Sequence, residues 1–394
     1  MSDQSVVIAA ARRTPIGAFQ GALSPVAAPA LGATAAAAAL ADAGLEGGDV
    51  SEVIMRCVLP AGLGQAPARQ AALAAGIPEG VGCTTINKVC GSGMKATMLG
   101  HDLIRAGSAD VVLAGGMESM SNSPYLLPKA RAGLRMGHQQ ILDRMFLDGL
   151  QNPYDDQMMG FFAEQTVDKY QFTRDAQDDF AIESVSRALT ASDSGAFAAE
   201  IVPVLVRSRR SETTVERDEE PDRCDLDKIR SMRPAFRRDG GTVTAASSSS
   251  ISDGAAALVL TGADTAAARG IEPLARIVGH SGFAHEPAWF TTAPVFAIRA
   301  LQDRLGWTAD DVDLYEINEA FAVVAMAAMH DLGLDHAKVN VNGGACALGH
   351  PIGATGARII ATLVHGLRSR GLRRGIASLC IGGGEATAIA VEAL

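Results

Sequence analysis

Aromatic side chains make up only 5% of this chain of 394 residues, and its six cysteines include no C-x-x-C pair. Without such pairs neither a zinc ribbon nor a disulfide scaffold is expected, and isolated thiols suit a reducing compartment. Basic residues are in deficit: 34 Lys plus Arg stand against 44 Asp plus Glu, a formal charge of -10. That sign is opposite to the footprint of a nucleic-acid binder, so no nucleic-acid partner is expected. A phosphate-bearing ligand then has to be held by local donors, such as a few Arg side chains or the N–H groups of a helix start. No Lys or Arg precedes the short apolar run in Met1 to Ile8, which supports neither a secretory signal nor a transit peptide and points to the cytoplasm. Thr14 to Ala41 carries no charge, yet it is Ala- and Gly-dominated and broken by Pro15, Pro25 and Pro29. It reads as a buried Ala-rich helix from about Leu31 to Ala43 and not as a membrane span, so no membrane partner is expected.

What the chain does have is apolar material, 48% of its residues, and 42 glycines. A disordered or fibrous protein is excluded, and the length is enough for two or three structural units. Helical stretches alternate with short Val/Ile/Leu runs closed by Gly, which predicts βα units, an α/β fold and a mostly parallel sheet. One unit runs from Val81 to Gly116: a strand at Cys83–Ile86, a turn at Cys90-Gly91-Ser92-Gly93, a helix with Met94, Met98 and Leu103, and a strand at Val111–Leu113 closed by Gly115-Gly116. A second has the same order: Val339-Asn340-Val341-Asn342, a Gly-rich turn from Gly343 to Gly356, a helix with Ile359, Ile360, Leu363 and Leu367, and a strand from Ile376 to Leu379 before Gly382-Gly383-Gly384. The two halves look like one duplicated module. Between them charge concentrates, and Arg207 to Arg238 mixes both signs with almost no apolar periodicity. This reads as an inserted loop domain with a solvated face; a surface holding an anionic ligand or another subunit is the alternative. The expected units are 1–118 with 243–269, the insertion 119–242, and 270–394. Ser247 to Ser250 reads as a loop entering a buried strand at Ala255–Leu260.

Four short motifs carry chemistry. In Asn87-Lys88-Val89-Cys90-Gly91-Ser92-Gly93 a Cys sits between a strand and the first turn of a helix, where unpaired N–H groups and the macrodipole favour thiolate. The glycines permit a tight turn and close approach of a substrate. Such a Cys is otherwise a small core residue, the reading preferred for Cys57, Cys83 and Cys224, which are assigned to packing or surface. In Gly349-His350-Pro351-Ile352-Gly353-Ala354-Thr355-Gly356 an imidazole in a glycine-rich turn fits a base that activates a thiol; a structural His beside a phosphate-cradling loop is the other reading. His101 and His365, on helices, are read as structural. Cys380-Ile381-Gly382-Gly383-Gly384 ends a strand and offers a second thiol with N–H groups for an oxyanion, unless Cys380 is simply buried. Asn318-Glu319-Ala320-Phe321-Ala322 follows a strand from Val312 to Ile317, and Asn318 either caps the next helix or orients a water. All four sit at strand ends, the side where parallel sheets bind ligands, so two packed halves would bring Cys90 together with His350 and Cys380.

Together with Ala11-Arg12-Arg13-Thr14-Pro15-Ile16-Gly17, Gly64-Gln65-Ala66-Pro67-Ala68-Arg69-Gln70 and Gly115-Gly116-Met117-Glu118-Ser119-Met120-Ser121, the four motifs resemble, in order and over essentially the whole chain, a thiolase of the acetyl-CoA acetyltransferase type. The resemblance implies a five-layered α-β-α-β-α fold of two similar halves with a loop domain inserted in the first, assembled as a homotetramer or homodimer. It implies acyl-CoA substrates, no tightly bound cofactor, no metal, and a place in fatty-acid metabolism. Cys90 then resembles the acyl-accepting nucleophile, His350 its base, and Cys380 the acid/base acting on the second acyl-CoA. Asn318 matches the residue whose water forms one oxyanion hole with His350, and the N–H groups of Cys90 and Gly382 form the other. Phe236, Ser249 and Phe321 match contacts to coenzyme A. The chain departs from the family pattern in three places. Met158-Met159-Gly160 stands where many short-chain biosynthetic members have His-Met-Gly. In Asp218-Glu219-Glu220-Pro221-Asp222-Arg223 the Arg is displaced by one, so no phosphate contact is assigned to it. Thr244-Ala245-Ala246-Ser247-Ser248-Ser249 replaces the usual Thr-Ala-Gly-Asn-Ala-Ser. Three other readings are a ketoacyl-carrier-protein synthase, which uses two His where this chain has His350 with Cys380, a non-catalytic carrier of CoA or lipid, and a Cys-based redox or metal protein, which the lack of close Cys/His spacing disfavours.

Overall fold

The computed structural model describes residues 5–207 and 211–394. Part of the leader reading at Met1 to Ile8 and three positions of the Arg207–Arg238 charge run lie outside the described residues.

The first half runs β1 (Val6–Arg13), α1 (Ala28–Asp42), β2 (Glu52–Arg56), α2 (Pro67–Ala74), β3 (Gly82–Ile86), α3 (Ser92–Arg105), β4 (Val111–Ser119). An excursion with α4 (Met159–Tyr170) and α5 (Arg174–Asp193) follows, before β5 (Ser252–Gly262). The second half runs β6 (Ala275–Ala284), α6 (Ala293–Leu305), β7 (Leu314–Ile317), α7 (Ala322–Leu332), α8 (Thr355–Ser369), β8 (Arg374–Ile381) and β9 (Glu385–Ala393). In the first half the strands lie in the order β3-β2-β4-β5-β1. The second gives β7-β8-β9-β6, with Val339 bridged to Tyr315 where a β3 counterpart would stand. Element for element the halves repeat. They join edge to edge where Val6–Ile8 pairs antiparallel with Ala275–Ile277.

The layers follow from which faces are apolar. α1 and α2 cover one face of the first sheet through Leu31, Ala35, Ala39, Ala68 and Ala72, which pack on Val53, Met55, Val111 and Leu113. α3 and α8 fill the space between the sheets with Met94, Met98, Ile359, Ile360 and Leu363 against Ile8, Val112, Leu258, Leu379 and Ile389. α6 and α7 close the far face with Val295, Ile298, Val323 and Val324. This is the five-layered α-β-α-β-α arrangement expected, with α3 and α8 buried on nearly every side.

Several local expectations need correction. The sheet is mixed: parallel pairing is confined to β2 with β3 and β4 and to β7 with β8. Strands β5 and β9 return antiparallel beside β4 and β8, and β9 does so through the tight turn at Gly382–Gly384. No strand forms at Val339–Asn342, only the bridge at Val339, because Asn340 takes a left-handed conformation (φ 49°) and spends its amide on the backbone of Ile317 at 2.8 Å. Strand β4 does not stop before Gly115-Gly116. These glycines are in mid-strand because a Cβ on Gly115 would stand 2.2 Å from the Ala256 carbonyl oxygen, and one on Gly116 2.0 Å from that of Gly353. Helix α1 starts at Ala28 rather than near Leu31, since Pro29 falls in its first turn where a missing N–H costs nothing. The charged insertion is more than a solvated loop. α4 and α5 bury Phe162, Val167, Phe180 and Val185, while Arg217, Arg230 and Arg237 make exposed ion pairs with Asp193, Asp222, Asp179 and Asp168.

Candidate active site

Cys90 is presented by a strained turn. After β3, Val89 is forced to φ 43°, a conformation that costs a β-branched residue about 1–3 kcal/mol. Several hydrogen bonds hold it there. The Val89 N–H donates to Asn87 Oδ1 at 2.9 Å, and the Ser92 hydroxyl donates to the Val89 carbonyl at 3.0 Å while accepting from the Lys88 N–H. Asn87 Oδ1 is in turn held by Arg56 Nη2 at 2.8 Å, and Arg56 Nη1 reaches across to the Ile352 carbonyl at 3.0 Å. One buried guanidinium therefore ties the Cys90 turn to the His350 turn.

The glycines make the meeting of those turns possible. Gly93 and Gly356 are the second residues of α3 and α8, equivalent places in the two halves. A Cβ on Gly93 would lie 2.7 Å from the Ala357 nitrogen, and one on Gly356 2.3 Å from the Met94 nitrogen. The two helix starts touch backbone to backbone, and no larger residue fits at either. Gly93 thus serves approach between helices rather than approach of a substrate. Gly343, Gly344, Gly349 and Gly353 likewise pack against Ser184, Glu319, Ser252 and Glu118, which removes the reading of the His350 loop as a phosphate cradle.

Cys90, His350, Cys380 and the Gly382 backbone line one cavity of about 270 Å³. His350 is buried, and its Nδ1 lies 2.6 Å from the Thr355 hydroxyl, which itself donates to the Pro351 carbonyl at 3.0 Å. With the hydroxyl proton so committed, Nδ1 carries the ring proton and donates, leaving Nε2 as a bare acceptor with no partner among the described residues. Burial, then Arg358 and Arg56, push its pKa down to about 3, so the imidazole is neutral. Burial also pushes the Cys90 thiol up, against the pull of Arg56 and of the N–H groups of Gly382 and Cys90 itself. This corrects the expectation that the helix start alone favours thiolate: desolvation wins, and the thiol needs a base. Cys380 is raised by burial and by the neighbouring Cys90. The resting site holds two thiols and one neutral imidazole.

Asn318 follows β7 but caps nothing, because α7 begins after Phe321 with no side-chain cap. Its Oδ1 accepts from Arg358 Nη2 at 3.4 Å, and its buried Nδ2 has no partner among the described residues, as fits a group that holds a water. Phe236, Ser249 and Phe321 line the same cavity, together with Met158, Met159 and Gly160. Phe236 and Phe321 meet edge to face at 5.8 Å. Gly160 is dictated by Phe236, whose ring a Cβ there would meet at 2.3 Å. The displaced Arg223 pairs with Glu219 at 3.2 Å, while Asp218 is buried on Arg13 at 2.7 Å. The remaining cysteines are free: Cys57 is buried against Glu118 and Cys346 against Glu319. His365 binds the Ala11 carbonyl at 2.9 Å, as a structural histidine should.

Motif reading missed the supports. Glu118, quoted only as part of a motif, accepts the N–H groups of Val58 and Leu59 and sits 3.8 Å from Arg56. Glu319 accepts from Ser184, Asn340 and the Cys346 N–H at 2.7–3.0 Å and pins the loop leading to His350. Arg56 closes the strand Glu52–Arg56 behind the apolar Val53, Ile54 and Met55; a charge buried at the end of such a run was the available signal.

A neutral His350 gives a pH prediction. The unfolded imidazole takes up a proton near pH 6.5 and the folded one near 3. Stability linked to this group is therefore fully present above about pH 6.5 and is lost as pH falls toward 3. For the same reason a reaction that uses His350 as its base is expected to show no acid limb near pH 6.5. Its rate profile between pH 5.5 and 8 checks this, and a limb there that vanishes in His350→Asn would contradict it.

Residues 6–264 match the family model "Thiolase, N-terminal domain" and residues 271–393 "Thiolase, C-terminal domain". The chain is 50% identical over 396 residues to acetyl-CoA acetyltransferase 2 of Arabidopsis thaliana, covering 100% of this chain and 98% of that protein. It is 48% identical to the acetyl-CoA acetyltransferase of Pseudomonas aeruginosa, covering 98% of each. Among solved structures, the Bacillus anthracis acetyl-CoA acetyltransferase superposes with TM-score 0.97 at 44% identity, covering 99% of each chain. The Acat5 thiolase of Ascaris suum in complex with coenzyme A superposes with TM-score 0.94 at 43% identity, covering 99% of this chain and 100% of that one. By sequence over its full length, by fold and by the arrangement of its two catalytic-type loops, the chain belongs to the thiolase family.

Proposed function

We propose that this chain is an acetyl-CoA C-acetyltransferase, joining two acetyl-CoA into acetoacetyl-CoA and CoA, and cleaving 3-ketoacyl-CoA in reverse, by a ping-pong mechanism. The observation that carries the reading is the single cavity lined by two thiols, a neutral imidazole and the Gly382 backbone.

Cys90 passes its proton to His350 Nε2 and its sulfur attacks the first thioester. The N–H groups of Cys90 and Gly382 receive the oxyanion, each such donor contributing a few kcal/mol. CoA leaves as the thiol, taking its proton from Cys380. This leaves an acetyl group on Cys90, an imidazolium at His350 and a thiolate at Cys380. Cys380 then removes a proton from the methyl carbon of the second acetyl-CoA. The enolate oxygen is held by the His350 Nε2–H and by a water on Asn318 Nδ2. The carbanion attacks the acetyl group, the intermediate collapses, and the departing Cys90 sulfur recovers its proton from His350. Protons balance, and the site returns to two thiols and one neutral imidazole. Phe236 and Phe321 form apolar channel walls against the pantetheine arm, and Ser249 adds a hydroxyl beside it.

A second reading, a degradative thiolase of broad chain length, is favoured by one feature: Met158 lines the cavity beside Met120, Phe146 and Leu150 and makes the acyl side apolar. Thiolysis of 3-ketoacyl-CoA substrates of four to ten carbons separates the two. The principal reading expects the four-carbon substrate to be cleaved with the highest kcat/KM. A flat or rising profile supports the second, and no thiolysis of any member refutes both.

The same reading divides the chain into 1–118 with 243–269, 119–242 and 270–394. It assigns the protein to acyl-CoA and fatty-acid metabolism in the cytoplasm, where its six unpaired thiols stay reduced. Among the described residues no helix is long and apolar enough to cross a membrane. Exposed Tyr125, Leu134, Met136 and Ile141 in the insertion support a homodimer or homotetramer.

A further inference from the structure

Away from the acyl cavity, a second cluster spans the two halves. His101 and Asp102 are neighbours on α3, and His280 projects from β6 of the other half. Both rings turn to the same carboxylate oxygen: His101 Nδ1 lies 3.0 Å and His280 Nε2 2.9 Å from Asp102 Oδ1. The rings stand edge to face at 5.0 Å, and the three donor atoms lie within 4.8 Å of one another. They border a cavity of about 400 Å³ that shares no lining residue with the acyl site.

We infer that His101, Asp102 and His280 form a binding site for a divalent d-block cation of the zinc class, clasping the first half of the fold to the second. Two imidazoles and a carboxylate are the donor set such an ion takes, with bonds of about 2.0–2.2 Å. At the tetrahedral angle, ligands at that radius stand about 3.4 Å apart. The observed spacings are a few tenths of an ångström tighter, and the Asp102 side chain, half exposed, has room to adjust. Arg304 donates to the His280 carbonyl at 2.8 Å and fixes the strand from which the ring projects. The fourth position opens on the cavity and is filled by water. Sequence spacing gave no hint of the set, because His280 is 178 residues from Asp102. The ion is a clasp and takes no part in acyl transfer.

Cobalt(II) is the probe, because thiolate ligation at Cys90 or Cys380 adds an intense near-ultraviolet charge-transfer band that nitrogen and oxygen ligands do not. Titrating the metal-free whole protein is expected to give d–d absorption saturating at one cobalt per chain, without that band. Zinc sulfate is expected to raise the melting temperature. In His280→Ala and in Asp102→Asn, both partly exposed and tolerant of change, the affinity is expected to fall at least about tenfold and the melting shift to vanish. Thiolysis by the metal-free variants is expected to equal that of the metal-free parent. The inference is overturned if the parent shows no d–d bands, if they persist at the same affinity in both variants, or if they come with the thiolate band. Loss of thiolysis in the parent itself would instead count against the acyltransferase reading, so the two failures are distinguishable.

Discussion

Cys90→Ala is expected to lower both condensation and thiolysis by about four orders of magnitude or more, with the unfolding midpoint little changed. The size follows from the chemistry. Without the sulfur no acyl-enzyme forms, and the remaining donors at Gly382 and His350 have no covalent step to assist. The small change in stability follows from the packing: the Cys90 side chain is only partly buried, lining the cavity and touching the core from its edge. Cys90→Ser tests the same claim without removing volume. A hydroxyl in this desolvated setting is far harder to ionise than a thiol already raised by burial, so the serine variant is expected to be nearly as impaired. Steady-state assays of both directions, beside thermal unfolding, check the pair. Turnover within tenfold of the parent would remove Cys90 from the mechanism.

Cys380→Ala separates the half-reactions. In the proposed mechanism, forming the acetyl-enzyme uses Cys90, His350 and the Cys90 and Gly382 N–H groups, with solvent able to supply the proton that CoA takes. Making or breaking the carbon–carbon bond requires a base at the α-carbon, the role proposed for Cys380. Exchange of labelled CoA into acetyl-CoA is therefore expected to survive within about tenfold, while condensation and thiolysis fall by about 10²–10⁴-fold, the usual worth of a positioned acid/base. Equal loss of exchange and condensation would mean that Cys380 acts in acylation, or that the site has collapsed.

Cys90 is legible in the chain because it follows β3 beside Gly91, where an exposed backbone and a reactive side chain coincide; His350 follows a short helical turn beside Gly349, Cys380 lies within β8, and Asn318 follows β7 with no glycine beside it. The duplicated module was readable because α3 and α8 carry apolar residues on equivalent turns. Four things were not readable. Strands β5 and β9 return antiparallel, and nothing in their composition distinguishes them from parallel core strands: β9 is Glu385–Ala393, an alternation of Ala, Ile and Val that fits either ladder. Gly93, Gly115, Gly116 and Gly356 look like turn residues but are contact residues, and only the three-dimensional neighbour shows why a Cβ is excluded. The proton state of Cys90 is not legible in the chain because the helix start is local and visible, whereas desolvation under the second half is a long-range property. Arg56 and Glu118 escaped notice on the same account: their partners, Asn87, Ile352, Val58 and Leu59, are dispersed along the chain.

The most direct measurement is peptide mapping by mass spectrometry after a rapid acid quench of the whole protein with acetyl-CoA, in the parent and in Cys380→Ala. The mechanism predicts one acetyl group on the peptide containing Cys90 and none on that containing Cys380. It also predicts greater accumulation in Cys380→Ala, where the acetyl-enzyme forms but cannot condense. Acetylation found at Cys380, or a Cys90 peptide that stays unmodified in both proteins while turnover proceeds, would contradict it.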